Sequence, residues 1–351
     1  MGKTLNFEQN SGKFQSAHGL RSRKIIIISP NGLSDAGGVE RVMLYAYRAL
    51  SEHGFRVDII DQKALSGSNI GRFFSFFKTG PLDFLAQSFG LSILANREHR
   101  SGSFIINNGY SAFFVISDIL FCHRCIRGAR LAQYRVRSEQ QPSSLSERRA
   151  QIDGHKTSRI TRLIGSLKIF LYGPDEIAEM IAGHRSHIIL AVSEHSQREW
   201  QRYYRLSSSK FKNLPNSVDT EHFQPDLESH KQQSSRQSRI ALRILFIGSL
   251  TYLKGLDRLG ATIEKARQTA KNWEFIIATP SSFNTEKFAS KQNVTIRKGV
   301  SFAELPDLYR SCDVMYFPSI YEGFEMVTLE ALSSGLPVVG TDVEFQHGRR
   351  S

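Results

Sequence analysis

The chain has 351 residues, about twice the length of a typical domain, so two domains are expected. Apolar residues make up 40% and charged residues 23%, which suits a soluble globular protein, and no run approaches the 18 or so apolar residues of a spanning helix. Net charge is +13, and three cysteines, Cys122, Cys125 and Cys312, are too few for a disulfide framework and fit a reducing cytoplasm.

Residues 1–23 mix polar and charged types without the apolar centre of a signal peptide, and read as a disordered leader. Residues 24–29 (KIIIIS) have the unbroken β-branched run of a buried parallel strand. A loop with three glycines follows (30–39, PNGLSDAGGV), then a helical pattern over 40–53 that ends at Gly54, then a strand over 56–60. Together they form one βαβ unit of the nucleotide-binding kind. Residues 73–94 are rich in Phe and Leu with helical spacing in places, which fits either an interfacial membrane contact or plain core. Strands are expected over 103–107 and 115–122. The stretch 124–168 then holds eleven Lys/Arg against three Asp/Glu, with a polar loop near 140–146 in an otherwise helical pattern. Such a stretch is either a solvated face or a patch for anionic lipid, phosphate or nucleic acid. No zinc-finger, RNP or helix-turn-helix signature accompanies it, so nucleic acid is not expected as a partner.

A strand over 187–193 and a helix over 194–204 follow, and then a short segment, 211–215. Residues 219–239 turn polar, with many Ser and Gln and no apolar rhythm, and mark an interdomain linker. A second alternation has strands over 244–249, 274–278, 294–299, 314–319 and 337–341, with helices over 256–270, 303–312 and 327–334. The expected organisation is a leader (1–23), an N-terminal domain (24–218), a linker (219–242) and a C-terminal domain (243–351), each domain a doubly wound parallel sheet.

The richest motif is 322–337, EGFEMVTLEALSSGLP. Glu322 falls in a loop after an apolar strand and Glu330 inside the next helix. The amides of Phe324, Glu325, Met326 and Val327 lie where that helix starts, and free donors at the positive end of a helix dipole suit a diphosphate. A carboxylate at Glu330 has the chemistry to accept from both hydroxyls of a ribose, although spacing alone fits an ordinary exposed helical residue equally well. Cys122-His123-Arg124-Cys125 lacks a second Cys/His pair at finger spacing, so no zinc site is expected; the chain has no Asp-x-Asp, so no metal-held diphosphate is expected either.

With Pro318-Ser319 before it, Gly323-Phe324 after it, and Gly335-Leu336-Pro337-Val338-Val339 closing it, this motif resembles the Glu-x7-Glu signature of retaining glycosyltransferases of the GT-B fold, family 4. The resemblance spans about residues 24–341. It implies two Rossmann-like domains facing a cleft, a nucleotide-sugar substrate (UDP- or GDP-sugar) and no cofactor. It implies that Glu322 contacts the transferred sugar and Glu330 the donor ribose. Gly248, Ser249 and Lys254-Gly255 resemble the family's donor-phosphate loop, in which the lysine offsets leaving-group charge. Many members carry an arginine where this chain has Ser249 or Leu253, and Arg258 is the nearest substitute. Gly37-Gly38 resemble the acceptor-side glycine loop, and His123 the histidine that touches the sugar, although a lone histidine is more often structural; Val192-Ser193-Glu194 resembles a family segment before the linker. The implied chemistry is metal-independent front-face transfer with retention and no protein nucleophile.

The acceptor expected from the basic stretch and residues 73–94 is lipid-linked, at an anionic membrane surface, in polysaccharide or glycolipid biosynthesis. That places the protein in the cytoplasm or peripherally on the inner face of its membrane. Family members continue beyond the GLPVVGTD segment, whereas this chain ends in EFQHGRRS, which reads as a shortened C-terminus. The alternatives are a catalytically inactive protein that only binds a membrane or partner, and an epimerase acting on a nucleotide sugar.

Overall fold

The computed structural model describes residues 23–35, 37–74, 81–139, 173–226, 241–269 and 272–343. The expected leader (all but Arg23), most of the basic stretch with its polar loop, the later part of the expected linker and the terminal EFQHGRRS lie outside these residues.

Strands β1 (Ile25–Ile28), β2 (Val57–Ile60), β3 (Phe104–Asn108), β4 (Ser117–Cys122), β5 (Ser186–Ala191) and β6 (Phe211–Asn213) form a six-stranded sheet in the order β2-β1-β3-β4-β5-β6. β1 pairs in parallel with β2 and β3, and β3 with β4. All four isoleucines of β1 are at most 2% exposed, as a central parallel strand covered on both faces requires. Helix α1 (Gly38–Glu52) crosses from β1 to β2. Two short helices, α2 (Gln62–Ser66) and α3 (Asn69–Phe74), and a long one, α4 (Pro81–Arg100), lead from β2 to β3. Leu91 and Ala95 of α4 pack with Ile26, Ile28, Ile105 and Leu65 in one core cluster, so α4 serves as core. Its other face leaves Phe89 and Ile93 exposed.

The second sheet is all-parallel: β7 (Leu242–Ile247), β8 (Trp273–Thr279), β9 (Val294–Lys298), β10 (Val314–Phe317) and β11 (Val338–Gly340), in the order β11-β10-β7-β8-β9. The two-residue side-chain period sorts its core onto two faces. Ile244, Phe246, Phe275 and Ile277 meet Leu259, Ile263 and Ala266 of helix α8 (Leu256–Gln268) and Phe288 of the short helix α9 (Glu286–Ala289). The alternate residues Leu245, Ile276, Ala278, Met315 and Phe317 meet Leu305, Leu308 and Tyr309 of α10 (Leu305–Arg310) and Ala331 of α11 (Met326–Ser333). Two α/β units with helices on both sheet faces confirm the expected fold class.

Helices α5 (Ile126–Glu139) and α6 (Pro174–Arg185) run between β4 and β5, and α7 (Glu194–Tyr204) between β5 and β6. By its contacts the chain divides into one unit of Met1–Phe121 with Ala178–Ile189 and another of Cys122–Ile177 with Leu190–Ser351. Residues 122–139, 173–177 and 190–218, which sequence order groups with the N-terminal half, therefore associate with the C-terminal one. The expected linker begins inside that second unit. Phe223 is 1% exposed, sits edge-on to Phe302 and Tyr309, and its carbonyl accepts from Ser333 Oγ.

Three elements differ from expectation. Helix α6 was not expected, although Pro174 at its start, Asp175 and Glu176 in its first turn and His184 and Arg185 in its last are ordinary end signals. The expected helix over 303–312 splits into a 3₁₀ turn (Phe302–Glu304) and α10, because Ser301 and Glu304 form a capping box and Pro306 favours a first-turn position. Helices α2 and α3 come from the loop after β2, where Asp61 caps α2 by accepting from the Ala64 amide at 2.7 Å.

Candidate functional site

In the second sheet, β8 and β9 lie to one side of β7, and β10 and β11 to the other. The strand order reverses between β7 and β10, and in open parallel sheets ligands bind beyond the carboxyl ends of strands at such a point. The loops leaving these two strands carry Lys254 and Glu322.

The loop after β7 opens at Gly248, whose amide donates to the Ala278 carbonyl at 3.0 Å and whose φ of 144° is closed to most side chains. Ser249 follows, its carbonyl accepting from the Thr251 amide at 2.8 Å. A turn then brings the Lys254 amide to the Thr251 carbonyl (3.1 Å) and ends at Gly255, the left-handed cap of α8 with φ 77°. A Cβ at Gly255 would lie 2.1 Å from the Pro318 carbonyl oxygen. The two loops thus touch backbone to backbone only because residue 255 is glycine. The Ile320 amide donates to the Leu253 carbonyl at 2.8 Å, tying the loops a second time.

Across this junction Lys254 Nζ meets Glu322 Oε1 at 2.6 Å, and Ser319 Oγ donates to the same oxygen at 2.8 Å. The Glu322 side chain is 11% exposed and that of Lys254 33%. A short, charge-assisted pair with the ammonium still reached by solvent is an ordered cation at the mouth of a site. Arg258, the nearest substitute for the family's arginine, is held against the same loop. Its guanidinium donates to the carbonyls of Pro318 (3.2 Å) and Ser319 (3.3 Å), fixing the loop that carries Glu322.

Gly323 is the closest approach of all. A Cβ there would lie 1.8 Å from the His123 carbonyl oxygen and 2.9 Å from Arg124 Cα. The backbone of His123, at the end of β4, therefore abuts the residue next to Glu322, and two expected site residues distant in sequence are brought together. Phe324 and Glu325 lead into α11, where Glu325 is the extended N-cap and is 3% exposed. Thr328 Oγ1 donates to the Glu325 carbonyl at 2.9 Å, and the helix starts at Met326 and Val327 as the motif implies.

Glu330 is not the exposed helical residue that spacing alone allows. It is 1% exposed, and its Oε2 accepts from the Tyr309 hydroxyl at 2.8 Å. A buried carboxylate is expensive unless bonded, and the Tyr309 hydroxyl meets that need here.

In the first unit, Gly37 caps α1, and a Cβ on it would strike Glu40 Oε2 at 2.2 Å. Arg41, 5% exposed, donates to the Asp35 carbonyl through Nε (3.1 Å) and Nη2 (2.9 Å), which shapes the loop before Gly37 and Gly38. Cys122 and Cys125 are both buried thiols. Sequence reasoning missed Tyr321 and Glu199, and took Ser193 only as part of a segment resembling the family's stretch before the linker; their contacts flank Glu322 and are taken up below.

Residues 241–350 match the family model of glycosyl transferases group 1. A curated relative, the MMP alpha-(1->4)-mannosyltransferase of Mycolicibacterium hassiacum, is 29% identical over 48% of this chain and 40% of its own length. The chain matches less than half the length of the first curated relatives. Among solved structures, sucrose-phosphate synthase from Thermosynechococcus elongatus aligns over 92% of this chain and 82% of its own, with TM-score 0.60 and 16% identity. Anabaena HepE in complex with UDP-glucose aligns over 91% and 80%, with TM-score 0.55 and 15% identity. These structural likenesses bear on the fold.

Proposed function

As a chain of the GT-B fold whose residues 241–350 belong to glycosyl transferases group 1, we propose that the protein transfers a hexose from a nucleoside-diphosphate donor with retention of anomeric configuration. The observation that carries this reading is the Lys254–Glu322 pair at the strand-order reversal of the second sheet, four residues before the start of α11. In this reading the Lys254 ammonium and the first amides of α11 take the diphosphate, so that charge developing on the leaving group meets a cation and a helix dipole. Glu322, released from Lys254 when phosphate competes for the ammonium, orients the sugar. Glu330 receives the ribose hydroxyls from within α11, and His123 stands beside Gly323 at the sugar. No side chain acts as nucleophile; the departing phosphate oxygen takes the acceptor's proton on the face it leaves. UDP or GDP is the donor nucleotide, and the HepE complex with UDP-glucose supports a nucleotide sugar in this fold.

The acceptor is a lipid-linked glycan or lipid at an anionic surface, supported by the basic run over 124–168 and by the exposed Phe89 and Ile93 on α4. The proposed contact is peripheral; among the described residues no helix is long and apolar enough to cross a membrane. The test is to incubate the protein with UDP- and GDP-sugars and detergent-dispersed polyprenyl-diphosphate-linked saccharides, and to read the new linkage by NMR. A product with the donor's anomeric configuration is expected; an inverted product contradicts the mechanism.

A further inference from the structure

Resting on the donor-site reading, we propose that helix α7 is the positioning element for Glu322, gripping the residue on either side of it through Ser193 and Glu199. On one side, the Tyr321 hydroxyl bonds to Glu199 Oε2 and accepts from the Cys125 amide at 3.1 Å. On the other, the Gly323 carbonyl accepts from Ser193 Oγ at 2.8 Å. With residues 321 and 323 both pinned, the Cα–Cβ direction of residue 322 is set, and its carboxylate falls on Lys254 and Ser319.

The grip is built deliberately into α7. Ser193 is its N-cap, accepting from the Ser196 amide at 3.1 Å, so the hydroxyl's own proton is directed at Gly323. Glu199 lies further along the same helix. It is reached by His195 Nε2 at 3.5 Å from the preceding turn, and the His195 ring lies 5.7 Å from that of Tyr321. A Cβ at Gly128 would lie 2.2 Å from both Glu199 oxygens, so α5 comes this close only through glycine. Trp200, 1% exposed, donates from its indole to the Arg124 carbonyl at 2.9 Å and anchors the helix. The Tyr321 phenol is 7% exposed; burial, and then the charge of Glu199, push its pKa well above the ordinary value, so it remains a donor. A sugar-orienting carboxylate has to be held to within about 0.5 Å, and a loop residue needs such a supporting shell.

The test reads the Lys254–Glu322 pair directly, without substrate. Lys254 is pulse-labelled with acetic anhydride and quantified by mass spectrometry in the wild type, Tyr321→Phe, Glu199→Gln, Ser193→Ala and Ser193→Thr, with Glu322→Gln as the reference for a broken pair. Lys265, exposed on α8, reports on the fold. Lys254 labelling is expected to rise by about fivefold or more in the first three variants, to stay near wild type in Ser193→Thr, and Lys265 to be unchanged. Wild-type Lys254 reactivity in folded Tyr321→Phe and Glu199→Gln overturns the proposal. Should either fail to fold, Ser193→Ala decides by the same criterion. UDP and GDP titrations of the wild type run alongside. Absence of nucleotide binding with raised Lys254 labelling removes the donor-site reading and leaves the positioning role standing.

Discussion

At the scale of single residues the site is organised by what glycine permits. Gly255 and Gly323 are the points where loops touch through backbone, and each would place a Cβ within 2.1 Å of a carbonyl oxygen. Gly255→Ala adds a left-handed φ to the clash and is expected to destabilise by about 2 kcal/mol or more, read as a shift in the urea midpoint. Gly323→Ala is expected to act on chemistry more than on stability. The loop must move away from His123, and a displacement near 1 Å lowers turnover about 100-fold while nucleotide binding through Lys254 persists. Turnover at the wild-type level refutes the close packing as a requirement. Tyr321 gives a pH signature. Its pKa is raised in the fold above the ordinary 10.0, so its contribution is fully present below pH 10 and is lost as pH climbs through the higher folded value. Tyr321→Phe should therefore flatten the alkaline limb of the stability curve; an unchanged limb contradicts the burial of the phenol.

At the scale of elements, α11 and the loop before it join function to core. Glu330 accepts from Tyr309 of α10, and Phe223 packs against Tyr309 and Phe302. The segment that sequence marks as linker thus supports the residues packed behind Glu330. Phe223→Ala is expected to cost about 3–5 kcal/mol in unfolding free energy; a loss below 1 kcal/mol would show that the segment is detachable. This packing was not legible in the sequence, because one phenylalanine in a polar run has no periodicity. The strands and most crossover helices were legible, since β-branched runs such as 25–28 and the alternation through 242–317 leave few other placements. Helix α6 was missed although Pro174, Asp175 and Glu176 mark its start. In the site, Glu322, Glu330, Lys254 and the two loop glycines were readable from spacing and resemblance. The contacts of Ser193, Glu199 and Tyr321 were not, for they act across more than a hundred residues of chain and form only once folded.

At the scale of the whole molecule, two α/β units carry different tasks in this account. In the proposed reading the second takes the nucleotide sugar, and the first, with Phe89 and Ile93 exposed on α4, meets the acceptor. Electrostatic attraction of the basic run to anionic lipid should weaken as salt rises. Flotation with phosphatidylglycerol vesicles at low salt, lost at high salt, is expected; indifference to lipid at low salt removes the membrane half of the account. The central claim concerns the donor. It is tested most directly by calorimetric titration of the protein with UDP, GDP and ADP, repeated with Glu330→Gln, which keeps an acceptor for Tyr309 while removing the charge. Binding of one nucleotide in the micromolar range, weakened about tenfold or more in the variant, is the predicted result. A folded wild type that binds none of the three would contradict it.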